Sequence, residues 1–236
     1  MPKDLSWPDC LNVRDLGGLP TADGGEIRHG ALIRSDSHGK LTGEGVAAVT
    51  AHGVSRIIDL RREVECVAEP SPFAAEPIYR NLPVQDPADP DDGLHLRLAE
   101  IYVRLVDRRP ELYAAAAHAI TDAPPGGVVV HCAGGKDRTG LVIAMTLTVA
   151  GVERDLVAAD YAVTEQRLRE ANEQYLSGVS DETRRERIAA LMATKPETML
   201  EVLDHIDGQH GGVSAYLARG GFGADDQEAL RRRLVG

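Results

Sequence analysis

The stretch from residue 126 to residue 151 constrains the fold of this chain more than any other. Residues 128–130 are three valines that follow a Pro-Gly break, and a β-branched run too short for a helix predicts a buried strand. Over residues 139–150 apolar side chains occupy nearly every face of a helix, and Gly151 stands where a helix commonly ends. The stretch therefore predicts a strand, a tight loop and a buried helix in direct succession.

The loop inside this unit predicts an anion site, because a helix that starts after a tight loop directs backbone N–H groups and its positive dipole end at whatever the loop surrounds. Two common loops with this layout do not match. A nucleotide-binding P-loop needs glycine at 130 and serine or threonine at 137, where the chain has Val130 and Asp137. A dinucleotide fingerprint needs further glycines after Gly134-Gly135. The spacing that remains is Cys132, five residues, and Arg138.

This Cys-x5-Arg spacing predicts nucleophilic chemistry on phosphate esters. A free cysteine titrates near ~8.5, and a helix N-terminus beside cations lowers that pKa to roughly 3.5–7.5. The same N–H groups that stabilise a Cys132 thiolate would bind a phosphate dianion, and the fork of Arg138 would hold two of its oxygens. In-line attack by the sulfur would form a phosphocysteine, which water would then hydrolyse.

The rest of the chain predicts one α/β domain. Strand-like runs at 26–36, 54–63 and 78–82, with a helix between Thr42 and Gly53, predict a central, mostly parallel sheet flanked by helices. Residues 83–93, rich in proline and aspartate, predict an exposed loop. Helices are predicted before and after the central stretch, over 95–106, 110–120, 155–175, 181–194, 196–206, 213–218 and 224–235. The region of about 153–207 is predicted to form a helical cover on the sheet.

Charge and composition limit the classes of partner and the cellular locations that we expect. A net charge of −11, without a run of Lys and Arg long enough for a polyanion-binding tail, predicts no nucleic-acid partner. The N-terminus has no apolar signal region and the apolar run at 141–152 is too short to span a bilayer, so we expect a soluble protein without integral membrane association. Three widely spaced cysteines predict reduced thiols and a cytoplasmic location, with export without a cleavable signal left open. No pattern indicates a cofactor or metal.

The sequence HCAGGKDRTG at 131–140 resembles the signature of cysteine-dependent protein tyrosine phosphatases. Its Lys-Asp-Arg-Thr-Gly version is similar to the bacterial tyrosine phosphatase family whose members also act on phosphoserine and phosphoinositides. Further stretches fit that family's pattern: NVRDLGG at 12–18, LIRSD at 32–36, IIDLRRE at 57–63 and GGVSAYL at 211–217. The resemblance implies the cysteine-phosphatase fold and a tyrosine phosphatase of broad specificity, acting on phosphotyrosine with phosphoserine, phosphothreonine or phosphoinositides as further substrates. It also implies that the helical region of about 153–207 acts as a lid, in addition to covering the sheet. The alternatives are a rhodanese-like sulfurtransferase, whose loops are usually shorter, and a non-catalytic phosphate-binding module, which has no use for a thiol.

The resemblance gives each loop residue a role. Cys132 would be the nucleophile, and Arg138 would bind the phosphate and the transition state. The residues that would contact the substrate are Ala133, Gly134, Gly135, Lys136 and Thr139. His131 would orient the loop and tune the thiol, and Asp59, at the carboxyl edge of the sheet, would support the site.

Two of these substrate-contacting residues have a more specific interpretation. The ammonium of Lys136 would add a second cation, which suits substrates with more than one phosphate. The hydroxyl of Thr139 would help sulfur leave the phosphocysteine, or would cap the helix.

The general acid stays open at the level of the sequence. Compact tyrosine phosphatases place an aspartate on a separate loop before the cysteine, and the carboxylates at that distance, Glu100 and Asp107, fall on or at the end of a predicted helix. In the family resembled, the aspartate inside the loop has the role, which favours Asp137. Asp86 and Asp89, in the loop rich in proline and aspartate, are the alternatives.

Overall fold

A six-stranded sheet lies at the centre of the computed structural model, which describes residues 3–85 and 95–236. The strands are β1 (Lys3–Asp4), β2 (Arg14–Asp15), β3 (Leu32–Ser35), β4 (Val54–Asp59), β5 (Tyr79–Asn81) and β6 (Gly127–His131). Their order is β1-β2-β3-β6-β4-β5, in which β3, β6, β4 and β5 run parallel and the two-residue strands β1 and β2 are antiparallel. The predicted α/β fold with a mostly parallel sheet is confirmed.

Ten α-helices surround this sheet within the described residues. They are α1 (Gly43–Ala51), α2 (Glu63–Ala68), α3 (Leu98–Arg108), α4 (Pro110–Thr121), α5 (Asp137–Ala150), α6 (Arg154–Ser177), α7 (Glu182–Met192), α8 (Pro196–His210), α9 (Val213–Arg219) and α10 (Ala224–Leu234). None of them is long and apolar enough to cross a membrane.

Most predicted elements agree with these bounds to within a few residues. Helix α3 starts at Leu98, later than predicted, because the Glu100 carboxylate accepts the backbone N–H of Arg97 at 2.6 Å and so fixes the first turn. The short helix α2 begins inside a stretch whose pattern predicts strand up to residue 63. The exposed loop predicted at 83–93 lies mostly outside the described residues.

The central strand β6 separates two apolar layers of unequal size. Val129 pairs in register with Ile33 and Ile57, and all three pack in the smaller cluster with Trp7. Val128 and Val130 point to the other face, where the larger cluster contains most of α5. Since β6 is buried on both faces, it shows the continuous apolar run that the valines predict.

The carboxyl ends of three neighbouring strands place the site. In register, His131 at the end of β6 lies between Ser35 at the end of β3 and Asp59 at the end of β4. The segment after His131 leaves the sheet at this edge and leads directly into α5. Parallel sheets commonly bind ligands at this edge.

Candidate active site

We call residues 132–138 the cysteine loop; they connect β6 to the first turn of α5. Cys132 follows β6 directly and is 2% exposed. Gly135 has a φ of +63°, and a Cβ at this position would lie 2.4 Å from the carbonyl oxygen of Ser35. Because only glycine tolerates both this φ and this approach, Gly135 is what lets the loop turn tightly against the end of β3.

Three successive carbonyl groups of the cysteine loop are bound by partners outside it. These carbonyls belong to Ala133, Gly134 and Gly135. Ser37 donates its backbone N–H to the first at 2.8 Å, the amide of Asn12 donates to the second and third at 3.0 and 3.1 Å, and Arg34 donates to the third at 2.7 Å. In a trans peptide the N–H points opposite to the C=O, so the N–H groups that follow these carbonyls face away from the scaffold. Successive N–H groups on one side of a loop form an anion-binding concavity.

A buried ion cluster, which we call the arginine cluster, holds two of those donors. It consists of Arg14, Arg34 and Asp160, all 3% exposed or less. Asp160 of α6 accepts from Arg14 Nε at 2.7 Å and from Arg34 Nη1 at 2.5 Å, and Arg14 also donates to the Oδ1 of Asn12 at 2.7 Å. Burial opposes the charge of Asp160, but the two guanidinium groups outweigh it and lower the pKa of this carboxyl. The cluster therefore joins α6 and β3 to the carbonyls of the cysteine loop.

Arg138 forms a bidentate ion pair with Glu65 of α2, with N–O distances of 2.6 and 2.9 Å. Burial opposes the charge of Glu65, yet the hydrogen bonds from Arg138 lower the pKa of Glu65 to about 2. Burial also works against the Arg138 charge, and the bonds to Glu65 together with the electrostatic effect of the neighbouring Cys132 raise the pKa of Arg138. The guanidinium is thus charged and electrostatically coupled to Cys132, and Glu65 fixes its orientation.

Lys136 and Asp137 are bound by the helices that cover the sheet. The ammonium of Lys136 donates to Asp137 Oδ1 at 2.9 Å and to the carbonyl of Leu191 in α7 at 2.5 Å. Tyr102 of α3 donates its hydroxyl to Asp137 Oδ1 at 2.5 Å and lies 2.9 Å from the hydroxyl of Tyr161. Burial works against an ionised Asp137, but the Lys136 charge and these hydrogen bonds lower the pKa of Asp137. Asp137 is therefore a carboxylate in this state.

His131 lies beneath the loop, fully buried. Its Nδ1 is 3.1 Å from the carbonyl oxygen of Cys132, its Nε2 is 3.7 Å from Asp59, and its ring stacks on His38 with centroids 4.5 Å apart. Burial lowers the pKa of both histidines, so the stacked pair is neutral. Asp59 is bound through both carboxylate oxygens by Arg61. These contacts fit the supporting position expected for His131 and Asp59.

Thr139 is the third residue of α5 and is fully buried. Its hydroxyl has no hydrogen-bond partner among the described residues, so it does not cap the helix. A buried hydroxyl without a partner is unfavourable, which leaves this group available to a ligand of the loop. Of the two interpretations of Thr139, the helix cap is wrong.

The other carboxylates considered for the general acid lie elsewhere. Glu100 caps the start of α3, and Asp107, in the last turn of α3, contacts two histidines of α8. Asp86 and Asp89 lie outside the described residues. Among the described alternatives, only Asp137 belongs to the cysteine loop.

All three cysteines are free thiols. Cys10 lies 3.6 Å from the hydroxyl of Ser35, and burial raises the pKa of Cys10 to about 12. Cys66 lies 3.6 Å from Asp59, and burial raises the pKa of Cys66 as well. The prediction of reduced thiols agrees with these contacts.

Several residues that hold the loop were not identified as functional from the sequence. Asn12, Arg14 and Arg34 belong to the stretches NVRDLGG and LIRSD, whose fit to the family pattern was the available signal. Glu65 follows IIDLRRE closely. Asp160 sits in an apolar stretch of a helix and carries no such signal.

Comparisons with known proteins find similarity to tyrosine phosphatases. A model of the tyrosine phosphatase family matches residues 5–236. A triple specificity protein phosphatase, PtpB, of Mycobacterium tuberculosis is 23% identical over 97% of this chain and 98% of its own length. A tyrosine-protein phosphatase of Nostoc commune is 25% identical over 86% of this chain and 74% of its own. A Cupriavidus necator protein that also carries a tyrosine-protein phosphatase name is 28% identical over 74% of this chain and 67% of its own.

Proposed function

The chain belongs to the tyrosine phosphatase family and is a protein tyrosine phosphatase, and from this premise we propose that it works through a phosphocysteine on Cys132. One observation carries the proposal: three carbonyls of the cysteine loop are bound on its outer side, so that the following N–H groups face a ligand beside Cys132 and Arg138. Donors fixed before the substrate arrives need no reorganisation as charge develops on the transferring oxygens. The predicted family and enzyme class are confirmed; the roles below remain proposals.

In the first step the Cys132 thiolate attacks phosphorus in line with the ester bond. The S–P bond forms while the P–O bond breaks, and Asp137 gives a proton to the leaving oxygen. In the second step water attacks the phosphocysteine and gives a proton to the Asp137 carboxylate, and the thiolate leaves. The free hydroxyl of Thr139 would donate a hydrogen bond to that leaving sulfur.

Arg138 must exchange one partner for another when substrate binds. Its guanidinium donates to both carboxylate oxygens of Glu65 in the absence of substrate. Two oxygens of a phosphate dianion offer the same bidentate geometry. In this proposal Glu65 keeps the Arg138 guanidinium oriented until a phosphate replaces Glu65 as its partner. His131 and Asp59 support the loop from below. The N–H groups of Gly134, Gly135 and Lys136, which follow the bound carbonyls of Ala133, Gly134 and Gly135, form the concavity.

Asp137 acts as the acid only when it carries a proton, and we propose that substrate binding raises its pKa so that it takes one up. A phosphate dianion brings negative charge to the loop and attracts the Lys136 ammonium away from the carboxylate. Both changes raise the pKa of Asp137 from its lowered value in the unliganded state. Tyr102 keeps the carboxyl in place throughout.

We further propose that residues 1–236 form a single phosphatase domain and that the region of about 153–207 is its lid. Helix α6 lies over the loop, since a Cβ placed on Gly134 would be 3.6 Å from Leu168. Helix α7 reaches the loop through the carbonyl of Leu191 on Lys136. We also propose a cytoplasmic location and no nucleic-acid partner, on the basis of the reduced thiols and the net charge of −11.

The substrate range is proposed to extend beyond phosphotyrosine to phosphoserine, phosphothreonine or phosphoinositides. Lys136 supports this proposal, because a second phosphate could replace Leu191 as the partner of its ammonium. A relative that matches over 97% of this chain and 98% of its own length carries a triple specificity name. Lys136→Ala should lower kcat/KM for a phosphoinositide by more than for a phosphotyrosine peptide, and equal losses would contradict the assignment.

The phosphocysteine is tested by Cys132→Ser, with Cys66→Ser and Cys10→Ser as matched controls. We expect Cys132→Ser to stop phosphate release from p-nitrophenyl phosphate, while both controls turn over. Intact mass spectrometry of an acid-quenched wild-type reaction should find one added phosphoryl group, on the peptide that contains Cys132. Turnover by folded Cys132→Ser, or a phosphoryl group elsewhere, would overturn the proposal.

A further inference from the structure

On the side of α3 that faces α8, one carboxylate and two imidazoles converge. Asp107 lies in the last turn of α3, and its Oδ1 is 2.8 Å from His205 Nε2 and 2.7 Å from His210 Nε2. We propose that Asp107, His205 and His210 form a binding site for a divalent transition metal, with Zn²⁺ as the ion that fits this donor set. No known role of the cysteine loop uses these residues.

The donor atoms have the chemistry and the spacing that Zn²⁺ requires. Two imidazole nitrogens and one carboxylate oxygen are a common Zn²⁺ ligand set, with a water in the fourth position. One ligand atom from each of the three residues lies within 4.8 Å of the other two. Ligands at tetrahedral Zn²⁺ stand about 3.4 Å apart, so a small rotation of the Asp107 side chain would open its two short contacts to that distance.

The exposure of the three ligands, and the bonding of the nearby carboxylates, also favour metal binding at this place. Asp107 is exposed, while the side chains of His205 and His210 are 24% and 11% exposed, so an ion can enter and keep a water. The carboxylates of Asp204 and Asp207, on the same helix as the histidines, are bound to Arg154 and do not compete for the ion.

A neighbouring guanidinium opposes metal binding at this site. A guanidinium nitrogen of Arg219 contacts His210 Nδ1. This contact makes Nδ1 an acceptor and places the ring proton on Nε2, the atom that would bind the metal. Metal binding therefore requires the proton to leave Nε2 and Arg219 to withdraw, which its exposed position on the short helix α9 permits.

The position of the site indicates a structural ion. It would join the end of α3 to α8, two helices that already pack together. Tyr102, which binds Asp137 of the cysteine loop, lies five residues before Asp107 on α3, about 7.5 Å along the helix axis. An ion at Asp107 would thus fix the helix that positions Asp137 without touching the substrate.

The test is Zn²⁺ binding by the full chain after treatment with a chelator, followed by calorimetry and thermal unfolding. Because Zn²⁺ also binds thiolates, the binding is measured in the wild type and in Cys132→Ser. We expect one equivalent that survives Cys132→Ser and is lost in Asp107→Asn and in His205→Ala. Zn²⁺ at a hundred times its Kd should raise the wild-type Tm by about 5 to 10 °C, and should not raise that of Asp107→Asn.

His118→Ala is the matched control, because His118 also lies beside a carboxylate, Asp226, at 3.9 Å, and no second imidazole joins this pair within residues 3–85 and 95–236. It should bind Zn²⁺ like the wild type. Arg219→Ala should bind at least as tightly, since Nδ1 of His210 is then free to carry the proton; weaker binding would contradict His210 as a ligand. Absence of binding, or binding lost in Cys132→Ser but kept in Asp107→Asn, would overturn the site.

Discussion

The two halves of the cysteine loop are held in different ways. In the first half, residues 132–135, the contacts are made by backbone carbonyls, and their donors come from the N-terminal segment and from the sheet edge. In the second half, residues 136–138, the contacts are made by side chains, and their partners come from α2, α3 and α7. The first half is thus held through its backbone, while the second half is held by side-chain bonds, which a phosphate replaces in the proposed mechanism.

This difference indicates where rigidity and where exchange are needed. Donors to a transition state act best when they do not reorganise, which suits the carbonyl-bound half. In the proposed mechanism Lys136, Asp137 and Arg138 each take a new partner during the reaction, which suits side chains in ion pairs. If this division is right, variants of the first half should cost stability and activity together, and variants of the second should change activity selectively.

The largest effect is expected from Asp160→Asn, which breaks the support of the first half. The amide keeps the shape of the carboxylate but leaves two buried guanidinium groups, Arg14 and Arg34, without a counter-charge. Breaking a buried ion pair costs about 3–5 kcal/mol, and we expect a loss of this size in urea unfolding together with most of the activity. Glu170→Gln, at an exposed position of the same helix, is the matched control. If both variants unfold at the same urea concentration, the arginine cluster does not support the first half of the cysteine loop.

A smaller and more selective effect is expected from Asp137→Asn in the second half. The amide keeps the hydrogen bond from Tyr102 but cannot give a proton to the leaving oxygen. Loss of a general acid costs about 10²–10⁴-fold in rate, and we expect that loss with an alkyl phosphate and a far smaller one with p-nitrophenyl phosphate, whose leaving group needs no proton.

Glu100→Gln serves as the control for Asp137→Asn, because this carboxylate on α3 caps its own helix away from the loop. Its kcat should be unchanged for both esters. Equal losses for the two esters in Asp137→Asn would assign the acid to another carboxylate, with Asp86 and Asp89 as the candidates, and would leave Asp137 as a group that only orients Lys136.

The first half of the loop is also where the sequence is most informative. The residues from the three valines to Thr139 predict strand, loop and helix correctly, because β-branching, helical periodicity and glycine act locally. The stretches NVRDLGG and LIRSD indicate that their residues matter, and the structure adds the reason: Asn12 and Arg34 bind loop carbonyls from distant positions in the chain.

Contacts of the second half could not be predicted in the same way. The carbonyl of Leu191 reaches Lys136 because α7 lies over the loop, and a backbone acceptor has no side-chain signature. From the sequence, Asp160 is one polar residue in an apolar stretch of its helix, and nothing local shows that two arginines pack against it. Such contacts depend on how helices pack on the sheet, which local patterns do not specify.

The smallest effect is expected from Glu65→Gln, which weakens the contact that Arg138 must give up. Burial opposes the charge of Glu65, but the bonds from Arg138 together with those from Arg62 outweigh it, so the pKa of Glu65 falls to about 2 in the folded state, below its ordinary value of about 4.3. A carboxyl with a lowered pKa contributes stability above its unfolded pKa, and that contribution disappears as the pH falls through the folded one. The shift corresponds to at most about 3 kcal/mol.

Urea unfolding at a series of pH values separates the contribution of the Glu65 charge from the rest of the free energy of unfolding. We expect the wild type to exceed Glu65→Gln by a constant margin at neutral pH and to lose that margin between about pH 4.3 and pH 2. Glu63→Gln, exposed on the same helix, should follow the wild type throughout. A margin that persists in acid would mean that Glu65 stabilises α2 by packing. The bond to Arg138 would then be too weak to keep the guanidinium oriented before phosphate binds, and the exchange proposed for the second half of the loop would fail.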